Sequence, residues 1–104
     1  MKKKLIYMTM TDAAEARAVA RALLEERLVA CANMIDNVSS MYWWEGAMQE
    51  DTEVVVIAKT TAALVPAVVD RVKELHSYDC PCVVSCALED GNPEFLEWIE
   101  SVSR

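Results

Sequence analysis

Two strand-like segments of this 104-residue chain are apolar on both faces, which restricts the fold more than any other feature. Residues 54–57 are an unbroken β-branched run, as expected for a strand buried on both sides. Trp43 and Trp44 are adjacent in a segment rich in β-formers, so as strand residues they point to opposite faces. We expect one of them to join the protein's own core and the other to need a cover of different origin.

Hydrophobic periodicity predicts the elements before and around these strands. An apolar run at residues 5–10 predicts the first strand. The next segment predicts a helix from about residue 13 to residue 28, opened by a capping box of Asp12 and Glu15. A long antiparallel hairpin is then predicted from residues 30–46 and 51–60, with its turn at Glu45–Gly46. Its first arm is interrupted by a bulge or bend at Asn37 and Ser39–Ser40.

The last third of the chain contains two more helical patterns with a strand between them. Thr61 is a suitable cap for a second helix, in which Val65, Val68, Val69, Val72 and Leu75 share a face. Residues 81–88 predict a fourth strand, and a short apolar helix follows Pro93.

The order of elements predicts a single α+β domain over residues 1–104: a ferredoxin-like βαββαβ antiparallel sheet with an extra C-terminal helix. In this arrangement two helices cover one sheet face and leave the other to water or a partner. We expect oligomerisation through that second face. The alternative is a monomer in which the C-terminal helix covers the second tryptophan.

Charge and hydropathy exclude several classes of partner. The net charge of −7, from 17 acidic and 10 basic side chains, opposes binding to nucleic acid or to an anionic membrane. No apolar run approaches the ~20 residues of a membrane helix. The lysines at positions 2–4 precede an apolar stretch that is too short for a signal peptide. A cytoplasmic protein is the expectation.

Four cysteines are expected to be reduced in that compartment. Cys80, Cys82 and Cys86 lie within seven residues, which suggests metal or redox chemistry, although a free cysteine also packs as a small hydrophobe. Cys86 belongs to the more apolar face of the predicted fourth strand, so core packing is favoured for it. Cys82 is left open between ligand and packing.

His76 is the only histidine and lies at the predicted end of the second helix. It is either a helix cap or a metal ligand, and the sequence does not separate the two. A cysteine nucleophile would need a base, and His76 with Cys80 or Cys82 is the only candidate pair. No third orienting group and no phosphate-binding glycine motif accompany it, so no enzyme activity is predicted.

Several blocks in order resemble the CutA divalent-cation-tolerance family. They are Ala30–Cys31–Ala32–Asn33, Tyr42–Trp43–Trp44–Glu45–Gly46, Lys59–Thr60, His76–Ser77–Tyr78–Asp79–Cys80–Pro81, and Gly91–Asn92–Pro93 with Phe95–Leu96–Glu97–Trp98. The resemblance implies a tight homotrimer with its sheets inward, similar in shape to PII-type signalling trimers. It also implies a role in tolerance to copper and other divalent metals.

A copper site proposed in some relatives uses a first-strand Cys, a His and a Glu. Carried over by resemblance, these positions become Met8, His76 and Cys82, with Cys80 nearby. Thioether, imidazole and thiolate suit copper or another soft metal ion better than Mg²⁺ or Ca²⁺. Two alternatives stay open: a PII-like regulator that binds a metabolite or an unidentified partner protein at clefts between subunits, and a thiol redox sensor at Cys80 and Cys82.

Overall fold

A computed structural model describes residues 2–104 and contains one four-stranded antiparallel sheet with the strand order β2-β3-β1-β4. The strands are β1 (Lys3–Met10), β2 (Cys31–Trp44), β3 (Ala47–Thr61) and β4 (Val83–Leu88); the helices are α1 (Ala13–Glu25), α2 (Val65–Leu75) and α3 (Pro93–Val102). The predicted α+β class, the ferredoxin-like order and the added C-terminal helix are confirmed.

The core lies between the sheet and helices α1 and α2. Alternate residues of β1 (Ile6, Met8 and Met10) are buried against Val19 and Leu23 of α1. The other β1 residues, such as Tyr7 and Thr9, lie on the opposite side, which we call the open face. Within residues 2–104, no helix has the length and apolarity needed to cross a membrane.

Helix α1 ends at Glu25, three residues before the predicted end. Arg27 adopts a left-handed conformation with φ 57°, and the Leu28 amide donates to the Leu23 carbonyl at 2.9 Å. The Arg27 amide donates to the Leu24 carbonyl at 3.0 Å, which completes a Schellman motif. The end of α1 was not predicted correctly because the left-handed residue after a helix is usually glycine, and here it is Arg27.

The hairpin turns through two residues, Glu45 and Gly46, both with positive φ, which are the dihedrals of a type I′ turn. Strand β3 therefore begins at residue 47 instead of residue 51. The predicted irregularity is a register shift between Ile35 and Val38. It includes Asn37 but not Ser39 and Ser40, which are paired in the ladder.

The outer part of the hairpin, residues 38–53, extends past the rest of the sheet. Pairing of β1 with β3 stops at Met10 and Val54, so only β2 and β3 continue beyond that point. Trp43 is 74% exposed and Trp44 51% exposed. The expectation that one tryptophan joins the core is wrong, because none of the helices in residues 2–104 covers this part of the hairpin. Helix α3 packs elsewhere, against β1 and β3, and covers neither side chain.

Two further boundaries differ from the prediction. Thr61 makes no side-chain capping bond, and a short 3-10 turn at Ala62–Leu64 precedes α2, with Pro66 in the helix's first turn. Strand β4 starts at Val83, so Cys82 lies just outside it, although the Cys82 carbonyl still accepts a bond from the Thr9 amide at 3.4 Å.

Candidate functional site

A cavity of about 770 Å³ lies on the open face, between the hairpin and the segment that connects α2 to β4. We call it the hairpin cavity. Its walls come from β1 (Tyr7, Thr9), the hairpin (Val38, Ser39, Ser40, Met41, Tyr42, Trp44, Glu53) and the connecting segment (Ser77, Tyr78, Asp79, Cys80, Cys82). Three elements that are distant in sequence therefore form one site.

His76 fixes the connecting segment to the sheet. It is the C-cap of α2, and its ring nitrogens are 2.7 Å from the Thr9 carbonyl (Nε2) and 3.0 Å from the Tyr78 amide (Nδ1). Because a backbone N–H can only donate, Nδ1 is the acceptor and Nε2 carries the proton that goes to Thr9. Both nitrogens of this neutral tautomer are engaged.

The Glu15 carboxylate holds the same segment from the other side. It accepts from the Thr11 amide at 3.0 Å and from the Ser77 amide at 2.9 Å, and Oε1 lies 3.7 Å from His76 Nε2. Burial acts to raise the pKa of Glu15, but the hydrogen bonds from Thr11 and Ser77 outweigh it and hold the pKa below its ordinary value. The Glu15 amide donates to Asp12, so the predicted capping box is present, with Thr11 as the residue that Glu15 reaches back to.

The four residues predicted as metal ligands do not come together. Cys80 and Cys82 are free, exposed and on the wall of the hairpin cavity. Met8 is fully buried on the other side of the sheet, among the core residues. Within residues 2–104 no three His, Cys, Asp or Glu side chains lie close enough to hold a metal ion.

Cys86 is exposed on the open face, where it is paired with Leu5 of β1. The prediction of core packing is therefore wrong for the single chain. The more apolar face of β4, which includes Cys86, is part of the open face of the sheet. Val83 is on the opposite face of the strand and packs against the core. Cys31 is partly buried on β2, with its sulfur 3.9 Å from Lys59 Nζ.

The hairpin contributes a set of acidic and aromatic side chains that was not predicted from the sequence. The Tyr42 hydroxyl donates to the Asp51 carboxylate, and this bond raises the pKa of Tyr42 to about 12. Burial raises the pKa of Tyr78, and the negative charges of Glu53 and Asp51 add to that effect. The one available signal was Glu53 itself, a charged residue directly before the β-branched run.

The strand order, the extended hairpin and the terminal helix define a ferredoxin-like α+β domain with an added helix. The sequence then specifies the family. The chain belongs to the CutA1 divalent ion tolerance protein family, whose model matches residues 4–102.

Individual relatives agree with this placement. The chain is 38% identical over 97 residues to the divalent-cation tolerance protein CutA of Thermus thermophilus, covering 93% of this chain and 94% of that one. It is 35% identical over 100 residues to the rice protein named "Protein CutA 1, chloroplastic", covering 96% of this chain. The chain spans about half the length of its plant and mammalian relatives, 56% in the rice protein.

The fold agrees as well. The crystal structure of CutA1 from Oryza sativa superposes with a TM-score of 0.97 at 34% identity, covering 100% of this chain and 95% of that one. None of these three proteins is named as an enzyme.

Proposed function

We propose that the protein acts in divalent-cation tolerance by binding soft metal ions, copper above all, and not as an enzyme. The thiols of Cys80 and Cys82 are the proposed ligands. The observation that carries the proposal is that both are free and exposed on the wall of one cavity. Thiolates are soft ligands and select Cu(I) over hard cations.

His76 and Met8 complete the proposed set only if their contacts change. His76 would have to release either the Thr9 carbonyl or the Tyr78 amide before a nitrogen could bind an ion. Met8 would have to leave the core. The two thiols need neither movement, so we propose that they bind first.

Anaerobic titration of the reduced protein with Cu(I), against a competing chelator, tests the thiol site. We expect saturable binding that weakens in Cys80→Ser and in Cys82→Ser. Cys86→Ser is the matched variant, because Cys86 is an exposed thiol on the same face that does not line the cavity. Equal Cu(I) affinity in all four proteins would refute the assignment.

The cavity also supports a second candidate, a PII-like regulator that binds a small metabolite or a partner protein. Its volume of about 770 Å³ lies within the usual range of ~300–1,000 Å³ for small-molecule sites. A thermal-shift screen of metabolites against metal-free protein tests this candidate. A hit that survives in Cys80→Ser and Cys82→Ser would favour it over the metal site.

We further propose that the working form is a cytoplasmic homotrimer that binds neither nucleic acid nor membrane. Support for assembly comes from the exposed apolar side chains of the hairpin, including Met41, Trp43 and Met48. Support for a reducing compartment comes from the four free cysteines.

A further inference from the structure

The loop that connects β4 to α3 contains the only Asp–Gly pair of the chain, Asp90–Gly91. Both residues are exposed and lie outside every helix and strand. The loop begins where β4 ends, next to Lys3 of β1. The hairpin extends from the opposite end of the sheet, beyond Met10. The pair is therefore separate from the hairpin and from the hairpin cavity.

An Asp–Gly pair rearranges when the amide nitrogen of the glycine reaches the side-chain carboxyl carbon of the aspartate. Glycine has no Cβ to obstruct that approach, and it adopts a wide range of φ and ψ. The Gly91 amide donates to no acceptor among residues 2–104, so no protein hydrogen bond has to break first. An exposed loop also leaves the Asp90 side chain free to turn towards the main chain. The local structure thus allows ring closure.

The other aspartates are less suited to this reaction. Each is followed by a residue with a side chain, and three are held in place: Asp12 as the N-cap of α1, Asp51 in β3 and Asp70 in α2. The nearby Asn92 cannot react in the same way, because Pro93 follows it and has no amide N–H. The reaction is therefore expected at one position of the chain.

We propose that Asp90 is a covalent modification site, at which the folded protein forms isoaspartate that an S-adenosylmethionine-dependent carboxyl methyltransferase then recognises. The Gly91 nitrogen bonds to the carbon of the protonated Asp90 carboxyl group, and the carboxyl hydroxyl leaves with the amide proton as water. Water then opens the resulting succinimide. Opening at the former main-chain carbonyl gives isoaspartate, whereas opening at the side-chain carbonyl restores aspartate. No oxidant or reductant is needed.

The methyltransferase acts on the new free carboxylate of the isoaspartate. The methyl group passes from the sulfonium of S-adenosylmethionine to a carboxylate oxygen, which gives a methyl ester and S-adenosylhomocysteine. The Gly91 nitrogen then displaces methanol and forms the succinimide again, so repeated cycles return Asp90. Such an enzyme must contact the main chain on both sides of the modified residue. Residues 89–92 are all exposed and allow that contact.

The modified protein should stay folded. The rearrangement lengthens the main chain just before Asn92, whose side chain accepts from the Glu94 amide at 3.1 Å and caps α3. Further along, α3 is held by the Lys3–Glu100 ion pair at 3.2 Å and by the fully buried Ile99. The site uses no thiol, so this inference goes beyond the proposed metal function and does not depend on it.

Ageing of the purified protein at neutral pH and physiological temperature tests the proposal. Isoaspartate is measured by methyl transfer from labelled S-adenosylmethionine with a purified isoaspartyl methyltransferase, and it is located by peptide mapping with electron-transfer fragmentation. We expect methyl incorporation into the folded protein to rise with ageing and to map to Asp90. Protein unfolded in urea and aged in parallel gives the rate for an unrestrained chain, and the folded protein should react at a similar rate.

Two variants separate this site from the rest of the chain. Asp90→Glu should lose the incorporation, and Gly91→Ala should reduce it to the level of the other aspartates. Gly91→Ala is compatible with the fold, because an added Cβ would meet only the Leu96 side chain at 3.8 Å. Asp36→Glu is the matched control: Asp36 is also exposed but is followed by Asn37, so this variant should age as the original protein does.

Three results would overturn the proposal. The first is isoaspartate at Asp90 in the unfolded chain but not in the folded protein. The second is equal incorporation in Asp90→Glu and in the original protein. The third is isoaspartate at Asp90 that the methyltransferase does not methylate in the folded protein. None of them bears on Cu(I) binding, so failure here is distinct from failure of the metal proposal.

Discussion

Glu15 joins three parts of the chain through one carboxylate. Its carboxylate accepts from Thr11 at the end of β1 and from Ser77 after α2, while its amide donates to the Asp12 carboxylate, which caps α1. The fold favours the ionised form, because the pKa of Glu15 lies below its ordinary value. The stabilisation is therefore present above the ordinary glutamate pKa and is lost as the pH falls through the lower folded value.

Glu15→Gln should lower the free energy of unfolding by about 1–2 kcal/mol at neutral pH, because hydrogen bonds to a charged acceptor are replaced by neutral ones. The difference from the original protein should shrink as the solution is acidified below the ordinary pKa of a glutamate. Denaturant unfolding at one fixed protein concentration measures both effects. Glu25→Gln, at an exposed i,i+4 pair with Arg21, should cost less than about 0.5 kcal/mol. A pH-independent difference would contradict the role assigned to Glu15.

Tyr42 should ionise at a higher pH than an ordinary tyrosine does. Its pKa of about 12 results first from the hydrogen bond to Asp51. Asp51→Asn removes the negative acceptor, so the pKa should fall towards the ordinary value of about 10. Ultraviolet difference titration of tyrosinate follows the change. Glu50→Gln, on the other side of the strand, should leave the high-pH phase where it is; an unchanged titration in Asp51→Asn would refute the pairing.

At the scale of elements, the hairpin determines most of what distinguishes this domain. Its two-residue turn and the register shift between Ile35 and Val38 direct a long arm away from the helices. Most element positions follow from sequence periodicity, because buried strands and amphipathic helices have clear patterns. The end of α1 does not, because Arg27 occupies a left-handed position without glycine.

Gly46→Ala should destabilise the protein by about 1 kcal/mol or more, since φ at Gly46 is +78°. The cost comes from the backbone alone, because a Cβ there would meet no atom within 4 Å. Gly91→Ala is the comparison. Gly91 has no positive φ, and its Cβ would meet only the Leu96 side chain at 3.8 Å, so that variant should be neutral or slightly stabilised. Equal unfolding midpoints for the two variants would contradict the assigned turn.

At the scale of the whole molecule, the fold class could be predicted from the sequence, whereas the arrangement of the hairpin cavity could not. The adjacent tryptophans predicted a need for cover, yet their place beyond the helices depends on where β1 ends, which is a long-range property. Glu53 enters the cavity because the hairpin and the connecting segment meet, and no local pattern records that meeting. The same holds for the ring nitrogens of His76, whose partners Thr9 and Tyr78 become visible only in three dimensions.

For the proposed homotrimer, light scattering should give a mass near three times 11.6 kDa. Assembly is expected because a single chain would leave the apolar hairpin in water. Trp43→Ser combined with Met41→Ser should shift the population towards smaller species upon dilution. Glu50 lies on the same side of the hairpin as Met41 and Trp43 but is polar, so Glu50→Gln should keep the original mass. A monomeric mass for the original protein at micromolar concentration would refute the trimer.

The free edge of β2 has a consequence for a newly made chain. Fourteen residues of edge strand, ending in two tryptophans, present unpaired amides and carbonyls beside apolar surface in the single chain. Formation of the proposed homotrimer would then compete with aggregation for the same surface. Refolding yield should therefore depend on how quickly the subunits meet in the right register, and not only on the stability of the finished fold.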